Sequence, residues 1–166
     1  MTVRPADVAR LVEAAMAVRS HAHAPYSNYR VGAAILTRGG ALYTGCNVEN
    51  ATYGATLCAE RSAIAAMVAA GDAEPIACAV ITAGPKPGAP CGICRQVLAE
   101  FARDMAIVLV AVDAKGRIAR RKRTRLAVLL PQAFRLADST PVLRGLGGIS
   151  PRGAGRDPSR RSVKRP

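Results

Sequence analysis

The chain has 166 residues, half of them hydrophobic, and a formal net charge of +13. That is enough for one core and too little for two domains. No apolar run approaches the roughly 20 residues needed to cross a bilayer, and no basic segment followed by a continuous apolar stretch opens the chain, so a cytoplasmic location is expected. The five cysteines are an odd number, which argues against a complete disulfide framework and for reduced thiols that ligate metal. Residues 1–116 hold ten Lys or Arg against nine acids, whereas 117–166 hold fourteen against two. The near-neutral part has no basic groove for reading a polynucleotide. The basic end allows only weak, non-specific attraction to phosphate backbones.

In chain order, Val8, Leu11, Val12, Ala15, Met16 and Val18 recur at helical spacing and predict a helix over 5–22, with Asp7 early and Arg19 late to suit the helix dipole. His21 and His23 follow with no partner motif and read as surface or capping residues. Turn chemistry at 25–28 leads to a strand over 31–37, a hairpin turn at Arg38-Gly39-Gly40, and a returning strand over 41–46. Asn47 and Glu49 end that strand. Alternation places both side chains on one side, where an amide and a carboxylate can grip a diol. A loop over 51–57 precedes a helix opening at Cys58 and ending at Gly71-Asp72. The apolar run 76–83 reads as a strand covered on both faces, with Cys78 an inert core thiol. Further on come a Gly/Pro loop at 84–88, a helix over 91–102, a buried strand over 106–112 and a basic edge strand over 117–121. Thr124 is read as the N-cap of a short helix that Pro131 ends. From Ser139 onward Gly, Pro, Ser and Arg dominate with little to bury, which predicts a globular domain over 1–138 and a basic, disordered tail over 139–166. Alternating strands and helices predict a three-layer α/β/α sandwich on a mixed five-stranded sheet, with helix N-termini gathered at one sheet edge.

Two segments carry chemistry: Cys58-Ala59-Glu60-Arg61 and Pro90-Cys91-Gly92-Ile93-Cys94-Arg95. Cys91 and Cys94 lie one turn apart at a helix N-terminus, whose partial positive charge favours the thiolate that zinc requires. Three thiolates from Cys58, Cys91 and Cys94 leave a tetrahedral zinc one position short, and an open position that water can fill marks a catalytic site. Cys-x-Glu followed by Pro-Cys-x-x-Cys matches the zinc nucleobase deaminase pattern, in which the Glu is not a ligand but the proton shuttle, here Glu60. Arg61 and Arg95 each adjoin a ligand cysteine and can donate to sulfur, withdrawing charge from the metal.

The chain also resembles the small homotetrameric cytidine deaminases of pyrimidine salvage. Besides the zinc motif, the resemblance rests on Pro25 to Ala34, Gly45 to Ala51, Tyr53-Gly54, and Leu129-Leu130-Pro131-Gln132-Ala133-Phe134. It implies one zinc per chain, a free cytidine or 2′-deoxycytidine substrate, and a tetramer with shared active sites. It also implies substrate contacts from Tyr29, Asn47, Glu49, Ala59 and Phe134. Tyr29 stands where Phe is usual and packs on the pyrimidine; Asn47 and Glu49 hold the sugar 3′-hydroxyl; Phe134 covers the base, sometimes that of a neighbouring subunit. Two other readings stay open at this point: a deaminase for a modified cytosine nucleoside, and a non-catalytic module whose zinc site is closed by Cys46 or Cys78 and whose basic tail binds nucleic acid.

Overall fold

The computed structural model describes residues 3–135; the tail expected over 139–166 lies outside them. The elements run α1 (Pro5–Arg19), β1 (Gly32–Thr37), β2 (Leu42–Cys46), α2 (Ala59–Ala69), β3 (Pro75–Ala83), α3 (Gly92–Phe101), β4 (Ala106–Val112), β5 (Ile118–Arg125) and α4 (Leu126–Leu129), with a 3-10 turn at Tyr53–Ala55. The five strands form one sheet in the order β2-β1-β3-β4-β5. Only β3 and β4 pair in parallel, joined through α3; the other neighbours are antiparallel, so the sheet is mixed as expected.

The period-2 alternation of the central strands splits the core into two layers. Cys78 and Val80 of β3, with Ile107 and Leu109 of β4, pack on Ala63, Ile64 and Met67 of α2 and Leu98 of α3. Ala77, Ala79 and Ile81, with Val108 and Val110, face Val8, Leu11, Val12 and Ala15 of α1 on the opposite side. This is the three-layer α/β/α sandwich. Cys78 is fully buried within it, as a core thiol should be.

Two boundaries differ from expectation. α1 stops at Arg19, and residues 20–22 continue as tight turns in which His21 N–H donates to the Val18 carbonyl and Ala22 N–H to that of Arg19. Thr124 is not a helix cap: it lies in β5, opposite Ile107, because the β4–β5 ladder continues as far as Ala106 against Arg125. Continued main-chain pairing along a whole strand outweighs the single bond a cap would supply. Asp104 takes over that task, its Oδ1 accepting from Ala127 N–H (3.1 Å) in the first turn of α4.

The placement of α2 depends on Gly45. A Cβ there would collide with backbone atoms of α2, at the Ala63 nitrogen and within 2.5 Å of the Ala59 carbonyl oxygen. The missing side chain therefore lets the helix that carries Cys58 and Glu60 lie directly against β2. Gly45→Ala should cost about 1–3 kcal/mol by overpacking, read as a lower urea midpoint at an unchanged m-value.

Candidate active site

Cys58 is the N-cap of α2, and Cys91 the N-cap of α3, with Cys94 in the first turn of that same helix. Two helix N-termini thus converge. The Cys58 and Cys91 sulfurs are 3.9 Å apart, and all three Sγ atoms lie within 4.8 Å of one another. Thiolates at about 2.3 Å from a tetrahedral zinc would sit about 3.8 Å apart, so the donor set and its spacing fit that ion. The separation is far beyond a disulfide bond. Among the described residues these three form the one cluster suited to a metal, and Cys46 and Cys78 are not part of it.

The thiols act on one another. A hydrogen bond from Cys94 holds the Cys58 thiol down to about 5 against the cost of its burial, and Arg61 helps by donating to the same sulfur. Cys94, the donor in that pair and itself buried, is pushed well above the usual thiol range. Cys91 accepts from the Cys94 backbone N–H at 3.5 Å, the contact expected of a sulfur at a helix N-terminus.

Glu60, one position into α2, is 4% exposed and lines the cavity beside the thiols. Burial raises its pKa, and the neighbouring Cys58 adds to the shift. The two arginines diverge. Arg61 donates to the Thr56 carbonyl (2.6 Å) and approaches the Cys58 sulfur (3.9 Å). Arg95 instead donates to the carbonyls of Pro90 (2.7 Å) and Leu129 (3.0 Å), so it braces the segment before Cys91 against α4 and has no sulfur partner among the described residues.

The cavity has a volume of about 220 Å³ and opens where the carboxyl ends of β2 and β3 meet the helix N-termini, the usual ligand crevice of such sheets. Tyr29, Asn47, Cys58, Ala59, Glu60 and Cys91 all line it, with Val31 and Val80. Asn47 does not project freely into the space. Its Oδ1 accepts from Val31 N–H (2.8 Å) and its Nδ2 donates to the Tyr29 carbonyl (2.9 Å). Glu49 is outside the lining; its carboxylate accepts from the backbone N–H groups of Tyr26 (2.9 Å) and Ser27 (3.2 Å) and from the Ser27 hydroxyl. Both residues therefore shape the loop that carries Tyr29. Phe134 is also outside the lining and 64% exposed, its backbone clamped by Gln96 through two hydrogen bonds of 2.7 and 3.1 Å. The sequence reading did not single out Gln96, Thr82 or Gly88. A threonine near the end of an otherwise apolar buried strand was the available sign for Thr82.

Three thiols leave a tetrahedral metal incomplete, which belongs to zinc-dependent hydrolases and not to closed structural sites. Comparison with known proteins narrows the class. Residues 6–111 match the family model of the cytidine and deoxycytidylate deaminase zinc-binding region. A cytidine deaminase of Sporosarcina psychrophila is 42% identical over 132 residues, 80% of this chain and 94% of the relative. The crystal structure of cytidine deaminase from Burkholderia pseudomallei superposes with a TM-score of 0.69 at 44% identity, covering 76% of this chain and 98% of the other. That from Mycobacterium tuberculosis gives 0.65 at 37%, covering 78% and 98%. The chain belongs to the zinc-dependent cytidine deaminase family.

Metal analysis of two variants checks the cluster. Cys58→Ala should purify with zinc near background, whereas Cys78→Ala should keep about one zinc per chain, as an open three-thiol site requires.

Proposed function

We infer that this protein hydrolyses the exocyclic C–N bond of cytidine and 2′-deoxycytidine, yielding uridine or 2′-deoxyuridine and ammonia, in pyrimidine salvage. The observation that carries this reading is a buried carboxylate, Glu60, beside a three-thiol cluster in a cavity walled by Val31, Leu57 and Val80. Cys58, Cys91 and Cys94 would hold the zinc, which when bound supplies a Lewis acid able to lower the pKa of water from about 15.7 toward about 7.

Glu60 handles the protons. Its carboxylate takes one proton from the attacking water and passes it to the ring nitrogen beside the reacting carbon, then takes the remaining hydroxyl proton of the carbon adduct and hands it to the departing amine. A burial-raised pKa suits a group that must hold a proton as well as release it. Arg61, donating toward the Cys58 sulfur, withdraws charge from a thiolate-rich site. Arg95 keeps the Pro90 carbonyl, and hence Cys91, in place. The Tyr29 ring packs on the base, and Ala59 closes the wall of the cavity beneath it. Asn47 and Glu49 serve the sugar 3′-hydroxyl. Three donors reach the Glu49 carboxylate, which leaves acceptor capacity among its roughly four lone-pair sites.

The same reading extends to assembly. Phe134 is exposed, tethered by Gln96 and outside its own cavity, which suits a ring that covers the base in a neighbouring subunit. Tyr26, Tyr53 and Leu57 are exposed apolar side chains, Leu57 among those lining the cavity, as a homotetramer with shared sites would need. The catalytic domain is 1–138 and works in the cytoplasm. The basic stretch 139–166 takes no part in turnover and gives at most weak, non-specific attraction to nucleic acid.

Loss of ultraviolet absorbance on mixing zinc-loaded protein with cytidine measures the reaction. Glu60→Gln should retain zinc while kcat falls by about 10²–10⁴-fold or more, since the residue acts in several steps; substantial residual turnover would remove it from that role. Deleting residues 139–166 should leave the rate where it was, and a lost rate would place the tail in the site.

A further inference from the structure

Gly88 is a glycine that its backbone does not demand. Its φ is not among the positive values, which belong to Gly40, Gly71, Gly84 and Gly116. What the position lacks is room. A Cβ at 88 would stand 2.9 Å from Thr82 Cγ2, 3.2 Å from the Tyr29 hydroxyl and 3.3 Å from Thr82 Oγ1.

Neither side of this gap can step back. Thr82, 3% exposed near the end of β3, uses its hydroxyl twice: it donates to the Val110 carbonyl (3.5 Å) and accepts from Gly88 N–H (2.9 Å). Gly88 is thereby tied to the sheet. Tyr29 is tied as firmly, its N–H donating to Ser27 Oγ (3.0 Å) and its carbonyl accepting from Asn47 (2.9 Å). Both backbones are fixed, and the hydroxyl that distinguishes Tyr from Phe fits between them because position 88 carries no side chain. All three residues line the one cavity.

We propose that Tyr29, Gly88 and Thr82 form a single positioning unit: the notch at Gly88, held by Thr82, seats the Tyr29 hydroxyl and fixes the tilt of the ring over the substrate's base. The unit rests on the reading that Tyr29 packs on that base. The Tyr29 hydroxyl and the Thr82 methyl together require the smallest residue at 88, and both must go before that requirement is released.

The test is a mutant cycle on the zinc-loaded full chain with cytidine, reading kcat, KM and zinc content separately. In the native background Gly88→Ala should raise KM about tenfold with kcat and zinc maintained. In a Tyr29→Phe, Thr82→Ser background, where the hydroxyl and the Thr82 methyl are both gone, the same substitution should raise KM less than about twofold. An arm that keeps the branched shape is Thr82→Val, which replaces the hydroxyl holding Gly88 by a methyl: KM should rise several-fold, and restoring a hydroxyl as Thr82→Ser should recover most of the loss. An equal Gly88→Ala penalty in both backgrounds overturns the unit, as does a penalty that appears as lost zinc. Tyr29→Ala separates the two levels. A raised KM without coupling to position 88 sinks the unit and leaves the base-stacking reading standing; an unchanged KM sinks both.

Discussion

Two helix N-termini aimed at one point set the terms for the rest of this molecule. Cys58 caps α2, Cys91 caps α3, and their sulfurs lie 3.9 Å apart. Partial positive charge at each terminus favours thiolates, yet thiolates so close repel one another, and Cys94, hydrogen-bonded to Cys58 and buried, is held well above the usual thiol range. Cys58, Cys91 and Cys94 would hold a divalent cation, whose charge would offset that repulsion. Everything nearby keeps the two helix ends in register: Gly45 admits α2 against β2, and Gly84 N–H, bonded to the Val112 carbonyl (3.2 Å), starts the chain back toward Cys91.

The loop that carries Tyr29 is held by polar side chains turned inward on the backbone. Asn47 bridges residues 29 and 31, and Glu49 gathers the N–H groups of 26 and 27. A loop has few ladder bonds of its own, so such side-chain partners are what hold it in one conformation. The ring of Tyr29 inherits its position from them.

The zinc cluster and Glu60 were legible in the sequence because short local spacings fix them: a ligand and a carboxylate two residues apart, and two thiols one helical turn apart. The buried strands β3 and β4 were legible for the same reason, as continuous apolar runs. What escaped depends on partners distant in the chain. Thr124 looks like a cap until the length of β4 extends the ladder past it. Arg95 looks like a sulfur donor until α4 offers the Leu129 carbonyl. The pairing of Gln96 with Phe134, and of Thr82 with Gly88, is set by how the chain returns on itself, which no local pattern records.

The edge strand β5 carries an implication of another kind. None of its eight residues is buried, and five of them are Lys or Arg, at positions 120 to 123 and 125. It pairs with β4 through main-chain bonds that any side chain permits, and it contributes nothing to the cavity. Apart from Arg125, paired with Asp104, the charges along this strand therefore touch neither the buried core nor the cavity. Along β5 the charge and the chemistry of the cavity are carried by different residues, so the basicity this strand adds to the chain is no part of the site.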